Sequence, residues 1–261
     1  MIGIFDSGIG GVTVARAVRK ALPDHDLLYY GDTARSPYGT KSIDTIRDYA
    51  LQNIRFLLDE GADIIVAACN SASSAALEVM TGRYKTPVFE VVTPAVGAAL
   101  QATRTGRIGV IGTRATIGSG IYETRLRKAD PEVRVHSAPC PLLVPLVEEG
   151  WLKKPETTMI VKKYLHPLKV RQIDTLILGC THYPVLKETI GRKIGKRVRL
   201  IDASAAVAAA VKSFLKDHPD LDQKMRKDGS DRFVVSDSTP QFEKTARAIL
   251  KRPVRLETVR H

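Results

Sequence analysis

Residues 174–183 have the sequence DTLILGCTHY, a short apolar run that is followed by a glycine and then by a cysteine among polar groups. An apolar run of this length predicts a parallel β-strand that is covered on both faces. Ligands of open α/β sheets bind at the carboxyl ends of such strands. Cys180, Thr181 and His182 therefore lie where a functional site is expected.

The same pattern occurs a second time, earlier in the chain. Residues 63–71 have the sequence DIIVAACNS, which places Cys69 where the later run has Cys180. The interval from Cys69 to Cys180 equals the interval from Asp63 to Asp174, the residues that begin the two runs. A constant interval of this kind indicates an internal repeat, in which each copy ends a central strand in cysteine.

The beginnings of the two copies also correspond. Residues 2–7 and 108–113 are both predicted strands, and the interval between them is shorter by five positions than the interval between the two cysteines. The difference predicts one loop insertion of five residues in the second copy, which we place near residues 144–151. The sequence thus predicts an α/β protein of two similar, doubly wound domains with mainly parallel sheets, related by pseudo-two-fold symmetry and facing a central cleft.

The repeat also predicts the domain boundaries. A first domain is expected to comprise residues 1–95 and 207–261, and a second domain residues 96–206. Residues 231–236 are a predicted strand and residues 240–250 a predicted helix. These elements follow the second copy and are expected to return to the first, which would make the first domain discontinuous.

The composition bears on possible partners. The 261 residues carry a net charge of +12, with basic residues most frequent at 153–171, 192–199 and 251–260. Such a charge is compatible with nucleic-acid binding, which depends on neutralising phosphates. No helix-turn-helix, zinc-finger or aromatic stacking pattern accompanies the charge. We therefore expect a basic surface without a nucleic-acid partner, whose field can attract an anionic substrate.

The N-terminal residues and the cysteines indicate the cellular compartment. The first residues, MIGIFDSGIGG, lead directly into a predicted strand, so we expect no secretory signal, and no apolar run is long enough to span a membrane. Three cysteines cannot all pair within one chain, and two of them end strands, which favours a reducing compartment over a disulfide framework. We expect a cytoplasmic protein without a membrane partner.

Polar residues are also predicted at the ends of other strands. The first strand is followed by Asp6 and Ser7 and then by a glycine turn, in which Thr13 replaces the third glycine of a dinucleotide-binding motif. The backbone amides of such a turn can bind a carboxylate. Residues 32–39 and 140–148 are predicted as two long loops at the same edge of each unit, where binding residues are common.

Two cysteines at equivalent strand ends are compatible with a disulfide, a metal site, a nucleophile with a spare thiol, or an acid/base pair. Zinc sites usually have closely spaced ligand pairs, so we expect no metal. A disulfide would lock the cleft, and two merely buried cysteines would leave their polar neighbours unexplained. An acid/base pair accounts for most of the pattern, including the polar neighbours of both cysteines. One thiolate can remove a proton from one face of a small molecule while a thiol returns a proton to the other face.

Five motifs together resemble the glutamate racemases. They are DSGIGG at residues 6–11, SPYG at 36–39, ACNSAS at 68–73, CPLLVPLVE at 140–148 and GCTHYP at 179–184. The resemblance implies interconversion of L- and D-glutamate without a cofactor, to supply D-glutamate for bacterial peptidoglycan. The expected partners are glutamate and a second copy of the chain in a homodimer. Aspartate racemases are similar but typically have Glu at the position of His182, so glutamate is the preferred substrate and aspartate the alternative.

The resemblance also implies the roles of individual residues. Cys69 and Cys180 would act as acid and base on opposite faces of the substrate, and Asp6 and His182 would assist them. Hydrogen bonds to the ammonium and carboxylate groups of the substrate are implied for Asp6, Ser7, Tyr38, Gly39, Asn70, Ser71, Thr181 and His182. The family commonly has Thr where this chain has Ser71, which keeps the hydroxyl group.

Supporting roles, such as tuning or closing the site, are implied for Asp32 and Glu148. Other interpretations remain open for these residues. Asp6 and Asp32 could instead cap turns, His182 could be a structural histidine, and Glu148 could be a surface charge. The third cysteine, Cys140, lies among prolines and is expected to be structural. A nucleic-acid-binding protein without catalytic activity remains the alternative from another functional class.

Overall fold

The computed structural model describes residues 1–251 and 253–259, which form two parallel β-sheets with helices packed on them. The strands are β1 (Ile2–Asp6), β2 (Leu27–Gly31), β3 (Ile64–Ala67), β4 (Val88–Glu90), β5 (Arg107–Gly112), β6 (Arg134–Pro139), β7 (Thr175–Gly179), β8 (Arg199–Asp202), β9 (Asp231–Val235) and β10 (Leu256–Thr258). The larger sheet has the order β10-β9-β2-β1-β3-β4, and the smaller has the order β6-β5-β7-β8. Neighbouring strands pair in parallel throughout, which confirms the predicted fold class.

The helices follow the strands in alternation. They are α1 (Val12–Ala21), α2 (Ile43–Asp59), α3 (Asn70–Arg83), α4 (Val92–Ala102), α5 (Arg114–Gly118), α6 (Ile121–Ala129), α7 (Leu143–Glu148), α8 (Pro155–Val170), α9 (Lys187–Ile194), α10 (Ala203–Asp217), α11 (Pro219–Lys224) and α12 (Pro240–Leu250). Short 3₁₀ turns occupy Ile9–Gly11, Thr33–Arg35, Tyr38–Thr40 and Tyr183–Leu186. None of the helices in the described residues is long and apolar enough to cross a membrane.

Three apolar clusters pack the helices against the sheets. The largest contains residues of both sheets, such as Ile4 of β1 and Val110 of β5, together with Val207 of α10. Each of the other two clusters belongs to one sheet, and they contain Cys69 and Cys180 respectively. The two units therefore share one central core, and each cysteine belongs to the separate core of its own unit.

The strand pairings contain the repeat that the sequence predicts. The strand β1 lies between β2 and β3, and β5 lies between β6 and β7 in the same arrangement. Ile2 of β1 pairs with Ile64 of β3, and Ile108 of β5 pairs with Thr175 of β7. Both pairs preserve the intervals that the sequence predicts, so the equivalence of the two units is confirmed at the level of register.

The insertion in the second unit is divided, whereas a single insertion near residues 144–151 was predicted. Ile2 pairs with Leu27, and Ile108 pairs with Val135, so the second unit is longer by two residues between its first and second strands. Two of the five additional residues therefore lie between β5 and β6, where α5 and α6 occupy the place of the single helix α1. The other three lie between β6 and β7.

The prediction of a loop at residues 140–148 is wrong for its last six residues, because Leu143–Glu148 form the helix α7. Pro141 and Pro145 suggested a loop. However, Pro145 lies in the first turn of α7, where backbone N–H groups have no partner within the helix, so proline is tolerated there. The helix ends at Glu148, one of the predicted supporting residues.

The tail of the chain returns to the first unit. The strand β9 pairs with β2 from the level of Leu27 to that of Gly31, and α12 begins after Thr239, whose hydroxyl accepts a hydrogen bond from the backbone N–H of Phe242 at 3.2 Å. The division into domains of residues 1–95 with 207–261 and 96–206 stays a prediction, which this pairing supports. Arg252, Arg260 and His261, which that prediction assigns to the first domain, lie outside the described residues.

Candidate active site

A cavity of about 20 Å³ lies between the carboxyl ends of strands from the two sheets, and both repeat cysteines line it. The lining residues are Ser7, Pro37, Tyr38, Gly39, Cys69, Asn70, Ser71, Thr113, Val144, Cys180, Thr181 and His182. The sequence predicts nine of these as catalytic or substrate-binding residues. Cys69 follows β3 and Cys180 follows β7, so equivalent strand ends of the two units bring the thiols to one space.

On the first side of the cavity, Cys69 is almost completely buried, and its thiol donates a hydrogen bond to Oγ of Ser7 at a sulfur–oxygen distance of 3.6 Å. Burial raises the pKa of Cys69 to about 12, and the nearby carboxylate of Asp6 contributes to that rise. The Cys69 side chain is therefore a protonated thiol near neutral pH.

Asp6 is fully buried at the end of β1 and is held by the glycine turn that follows it. Its Oδ2 atom accepts hydrogen bonds from the backbone N–H groups of Gly8 and Gly11 at 3.0 and 2.9 Å. Its Oδ1 atom accepts a hydrogen bond from the hydroxyl of Thr181 at 3.3 Å, which links the two units. Burial raises the pKa of Asp6, while His182 and these hydrogen bonds oppose that effect. Asp6 thus holds the turn and also contacts a cavity residue.

On the second side, a chain of contacts runs from Cys180 through His182 to Glu148. Nδ1 of His182 lies 3.7 Å from the sulfur of Cys180, and Nε2 lies 3.2 Å from Oε1 of Glu148. Burial disfavours the charged imidazole, but the hydrogen bonds to Cys180 and Glu148 outweigh burial and raise the pKa of His182 to about 10. His182 is therefore an imidazolium near neutral pH, and Glu148 contacts it from the half-exposed end of α7.

Hydrogen-bonding groups cover the wall of the cavity at the beginning of α3. Asn70 is the first residue of this helix and is 2% exposed, and its Nδ2 atom has no hydrogen-bond partner among the described residues. Its Oδ1 atom accepts a hydrogen bond from the hydroxyl of Tyr122 at 2.5 Å. The Ser71 hydroxyl lies 3.0 Å from that of Thr113. This wall therefore offers an amide donor and two hydroxyl groups to a ligand.

Asp32 does not contact either thiol and instead fixes Tyr38. Its carboxylate accepts hydrogen bonds from the Tyr38 hydroxyl and from Nε of Arg35, the latter at 2.6 Å. Nδ2 of Asn53 donates to the Tyr38 hydroxyl at 3.0 Å. Burial and the adjacent carboxylate raise the pKa of Tyr38 far above its ordinary value. The predicted supporting residue Asp32 thus reaches the cavity only through Tyr38.

Three cavity residues were missed by sequence reasoning, namely Pro37, Thr113 and Val144. Thr113 could have been found, because it ends the predicted strand of residues 108–113 as Ser7 ends that of residues 2–7, and is therefore its equivalent in the repeat. Pro37 and Val144 could not, because both lie in regions predicted as binding loops but their apolar side chains carry no sign of a site. Cys140 is fully buried but does not line the cavity, and burial raises its pKa to about 12, in agreement with the expected structural role.

Larger cavities lie beside this one. A cavity of about 310 Å³ has Gly8, Ser36 and Glu148 among its lining residues, and Glu148 contacts His182, which lines the cysteine cavity. A cavity of about 810 Å³ is lined by the cations Arg16, Lys20, Lys187, Lys244 and Lys251 and by the acids Glu149 and Asp202. In residues 1–251 and 253–259, no group of three or more His, Cys, Asp or Glu side chains is arranged to hold a metal ion.

Comparisons with known proteins identify the family of the chain. A family model described as Asp/Glu/hydantoin racemase matches residues 12–211. The chain belongs to this family of racemases. A glutamate racemase from Persephonella marina is 44% identical over 98% of this chain and 95% of its own length.

Solved structures of racemases share the whole fold. A glutamate racemase isoform from Bacillus anthracis aligns with a TM-score of 0.93 and 35% identity over 99% of this chain and 97% of its own. A glutamate racemase from Francisella tularensis in complex with D-glutamate aligns with a TM-score of 0.91 and 37% identity over 99% of this chain and 96% of its own. The resemblance to glutamate racemases that the five motifs indicate is confirmed.

Proposed function

We propose that this chain interconverts L- and D-glutamate by moving the Cα proton between Cys69 and Cys180. The observation that carries the proposal is that thiols from equivalent strand ends of the two units line one cavity. The relative from Persephonella marina and the structures from Bacillus anthracis and Francisella tularensis, all similar over nearly the whole chain, are glutamate racemases.

The two thiols are prepared differently for the reaction. With a pKa of about 12, Cys69 holds its proton near neutral pH and is ready to act as the acid. A thiolate at Cys180 would stand 3.7 Å from Nδ1 of the His182 imidazolium, whose charge stabilises an anionic sulfur. The contact with His182 therefore suits Cys180 to the step in which its sulfur carries the negative charge.

The reaction then needs one proton at each face of Cα. The thiolate of Cys180 removes the Cα proton, and the electron pair of the broken C–H bond stays on Cα, delocalised into the adjacent carboxylate. The thiol of Cys69 delivers its proton to the opposite face, which inverts the configuration and leaves a thiolate at Cys69. The other enantiomer follows the same steps in reverse, with the roles of the thiols exchanged.

Substrate binding is assigned to the polar residues of the wall. The unpaired amide of Asn70 and the hydroxyls of Ser7 and Ser71 supply hydrogen bonds for the two carboxylates of glutamate. The hydroxyls of Tyr38 and Thr181 already donate to Asp32 and Asp6, so they serve as acceptors for the ammonium group, and Asp6, Gly39 and His182 complete the set. A cavity of about 20 Å³ holds roughly one water molecule, so the lining elements must separate to admit glutamate. The adjacent 310 Å³ cavity, beyond the contact between Glu148 and His182, provides the route.

Supporting roles follow from the contacts of four acidic and basic residues. His182 stabilises charge at Cys180, and Asp6 stabilises the glycine turn and Thr181. Asp32 acts through the Tyr38 hydroxyl, and Glu148 acts through His182. We further propose that the enzyme works in the cytoplasm as a homodimer and supplies D-glutamate for bacterial peptidoglycan. Added D-glutamate should therefore rescue the growth of a bacterium that is depleted of this enzyme.

Racemisation assays on the purified chain test the substrate assignment. L-glutamate, D-glutamate and L-aspartate are incubated separately without added cofactor, and the enantiomers are separated by chiral chromatography. Because enantiomers have equal free energies, both glutamate reactions should converge on equal amounts of the two forms, while L-aspartate stays essentially unchanged. Racemisation of aspartate but not of glutamate would show that aspartate is the substrate. Racemisation of neither amino acid would overturn the proposal.

A further inference from the structure

One aromatic side chain contacts the neighbours of both cysteines. Tyr122 of α6 is 2% exposed, and its hydroxyl donates a hydrogen bond to Oδ1 of Asn70, the residue after Cys69. Its ring packs on Gly179, the residue before Cys180, since a Cβ atom on that glycine would lie 3.2 Å from Cε2 of Tyr122. Tyr122 therefore connects the two strand ends that carry the thiols.

The amide of Asn70 shows why this contact matters. Asn70 lines the cavity, and its Nδ2 atom has no partner among the described residues, although the side chain is almost completely buried. Buried polar groups are nearly always hydrogen-bonded, and an unpaired one is costly unless a ligand completes it. The amide also lies at the N-terminus of the 14-residue helix α3, where the helix dipole favours an anion. These observations together indicate a subsite for a carboxylate.

The direction of the Asn70 amide depends on what contacts its oxygen. Burial, together with the acidic groups of Glu90 and Cys180, raises the pKa of Tyr122 well above its ordinary value, so its hydroxyl remains a donor. A donor at Oδ1 makes the NH₂ group the unpaired end of the amide, in a residue that lines the cavity. If the amide were flipped, its oxygen would face the cavity and repel a carboxylate, and the Tyr122 hydroxyl would lose its acceptor.

We propose that Tyr122 is a positioning residue that holds the Asn70 amide with its NH₂ group directed at a carboxylate of glutamate. The inference rests on the proposed racemase function and adds to it a residue from the opposite unit, 52 positions away in the sequence. Tyr122 itself does not touch the reacting atoms. It fixes a donor on the Cys69 side while its ring packs on the strand end of Cys180.

A double-mutant cycle on steady-state racemisation tests this role. The substitution Tyr122→Phe keeps the ring on Gly179 and removes only the hydroxyl group. We expect it to raise KM for both glutamate enantiomers roughly tenfold, the loss of one hydrogen-bonded donor to an anion, with a smaller change in kcat. In an Asn70→Ala background, the same substitution should change kcat/KM less than about twofold, because the amide it orients is gone.

The outcomes separate the possible failures. If Tyr122→Phe lowers kcat/KM by the same factor in both backgrounds, or lowers kcat alone, the hydroxyl does not act through Asn70 and the inference is overturned. Asn70→Asp provides a second partner variant if Asn70→Ala does not fold, since a carboxylate still accepts from Tyr122 but offers no donor. If the wild-type chain does not racemise glutamate, the proposed function fails, and KM values for the amino acid that it does racemise then decide the role of Tyr122.

Discussion

Nδ1 of His182 lies 3.7 Å from the sulfur of Cys180, and the other nitrogen of the same ring lies 3.2 Å from Oε1 of Glu148. One imidazole thus joins a thiol inside the cavity to a carboxylate at the protein surface. The pKa of His182 is raised to about 10 from an ordinary value of 6.5. This shift makes Glu148, which does not line the cysteine cavity, a determinant of how the site responds to pH.

The substitution Glu148→Gln should lower the pKa of His182, because it removes one of the partners that stabilise the imidazolium. Because the pKa of His182 is higher in the folded state, the protonated histidine stabilises the folded state. This stabilisation is complete below about pH 6.5 and is lost as the pH rises through about 10. In the variant this loss should occur at lower pH, and activity in alkaline solution should fall earlier. NMR titration of His182 and pH–rate profiles measure both effects.

The adjacent Glu149 supplies a matched control for this experiment. Glu149 is exposed, whereas Glu148 is in contact with the histidine. The substitution Glu149→Gln changes the net charge by the same amount and should leave the titration of His182 nearly unmoved. Equal shifts in the two variants would show that the contact with Glu148 does not set the pKa.

The substitution Gly11→Ala should destabilise the fold and the site together. A Cβ atom on Gly11 would lie 2.2 Å from Cβ of Asp6, so the turn that binds the Asp6 carboxylate has to move. We expect a loss of about 2 kcal/mol in the free energy of unfolding, the range of overpacked cores, and a drop in racemisation.

Gly97→Ala is the control for that prediction. Gly97 lies inside α4, and a Cβ atom there would have no neighbour within 4 Å. Alanine is favoured over glycine in helices, so the free energy of unfolding should rise by about 0.5–1 kcal/mol with activity retained. Denaturant unfolding measures both variants, and equal stability of Gly11→Ala and wild type would contradict the crowding at Asp6.

The substitution Asp32→Asn should lower the free energy of unfolding much more than the substitution Asp44→Asn at the surface. Both residues form ion pairs with an arginine three positions along the chain, Asp32 with Arg35 and Asp44 with Arg47. The side chain of Asp32 is 0% exposed and that of Asp44 is 88% exposed. Breaking a buried pair leaves an arginine without its counterion, whereas exposed pairs contribute little.

We therefore expect Asp32→Asn to lower the free energy of unfolding by about 2 kcal/mol and to raise KM for glutamate, because the Tyr38 hydroxyl loses its charged acceptor. Asp44→Asn should change neither quantity appreciably. Denaturant unfolding and steady-state kinetics on both variants decide the matter. If Asp32→Asn keeps wild-type KM, Asp32 has no influence on the cavity through Tyr38.

The strand ends of this protein could be predicted because local patterns specify them. Apolar runs bounded by polar or small residues identify β3 and β7, and the constant interval between the two runs establishes their equivalence. Parallel strands place their carboxyl ends at one edge, so Cys69 and Cys180 followed directly. Hydroxyl residues before a proline or a helical pattern likewise indicated the start of α12 at Pro240.

Contacts between the two units could not be predicted in the same way. The hydrogen bond of Tyr122 to Asn70 and the position of Val144 in the cavity depend on how the two sheets share their central core, which no local period encodes. The helix α7 was missed because the effect of Pro145 depends on its place within the turn. The five-residue insertion was misplaced because only strand register reveals how the additional residues are divided.

The central claim is that each thiol serves one face of the substrate. Its most direct test follows inversion and Cα deuterium incorporation in deuterated water by NMR and chiral chromatography, for wild type, Cys69→Ser, Cys180→Ser and the buried control Cys140→Ser. Wild type and Cys140→Ser should invert and exchange both enantiomers. Each of the other variants should lose inversion by roughly a thousandfold while retaining slow exchange of one enantiomer, a different one in each case. Inversion near the wild-type rate by Cys69→Ser or Cys180→Ser would contradict the two-thiol mechanism.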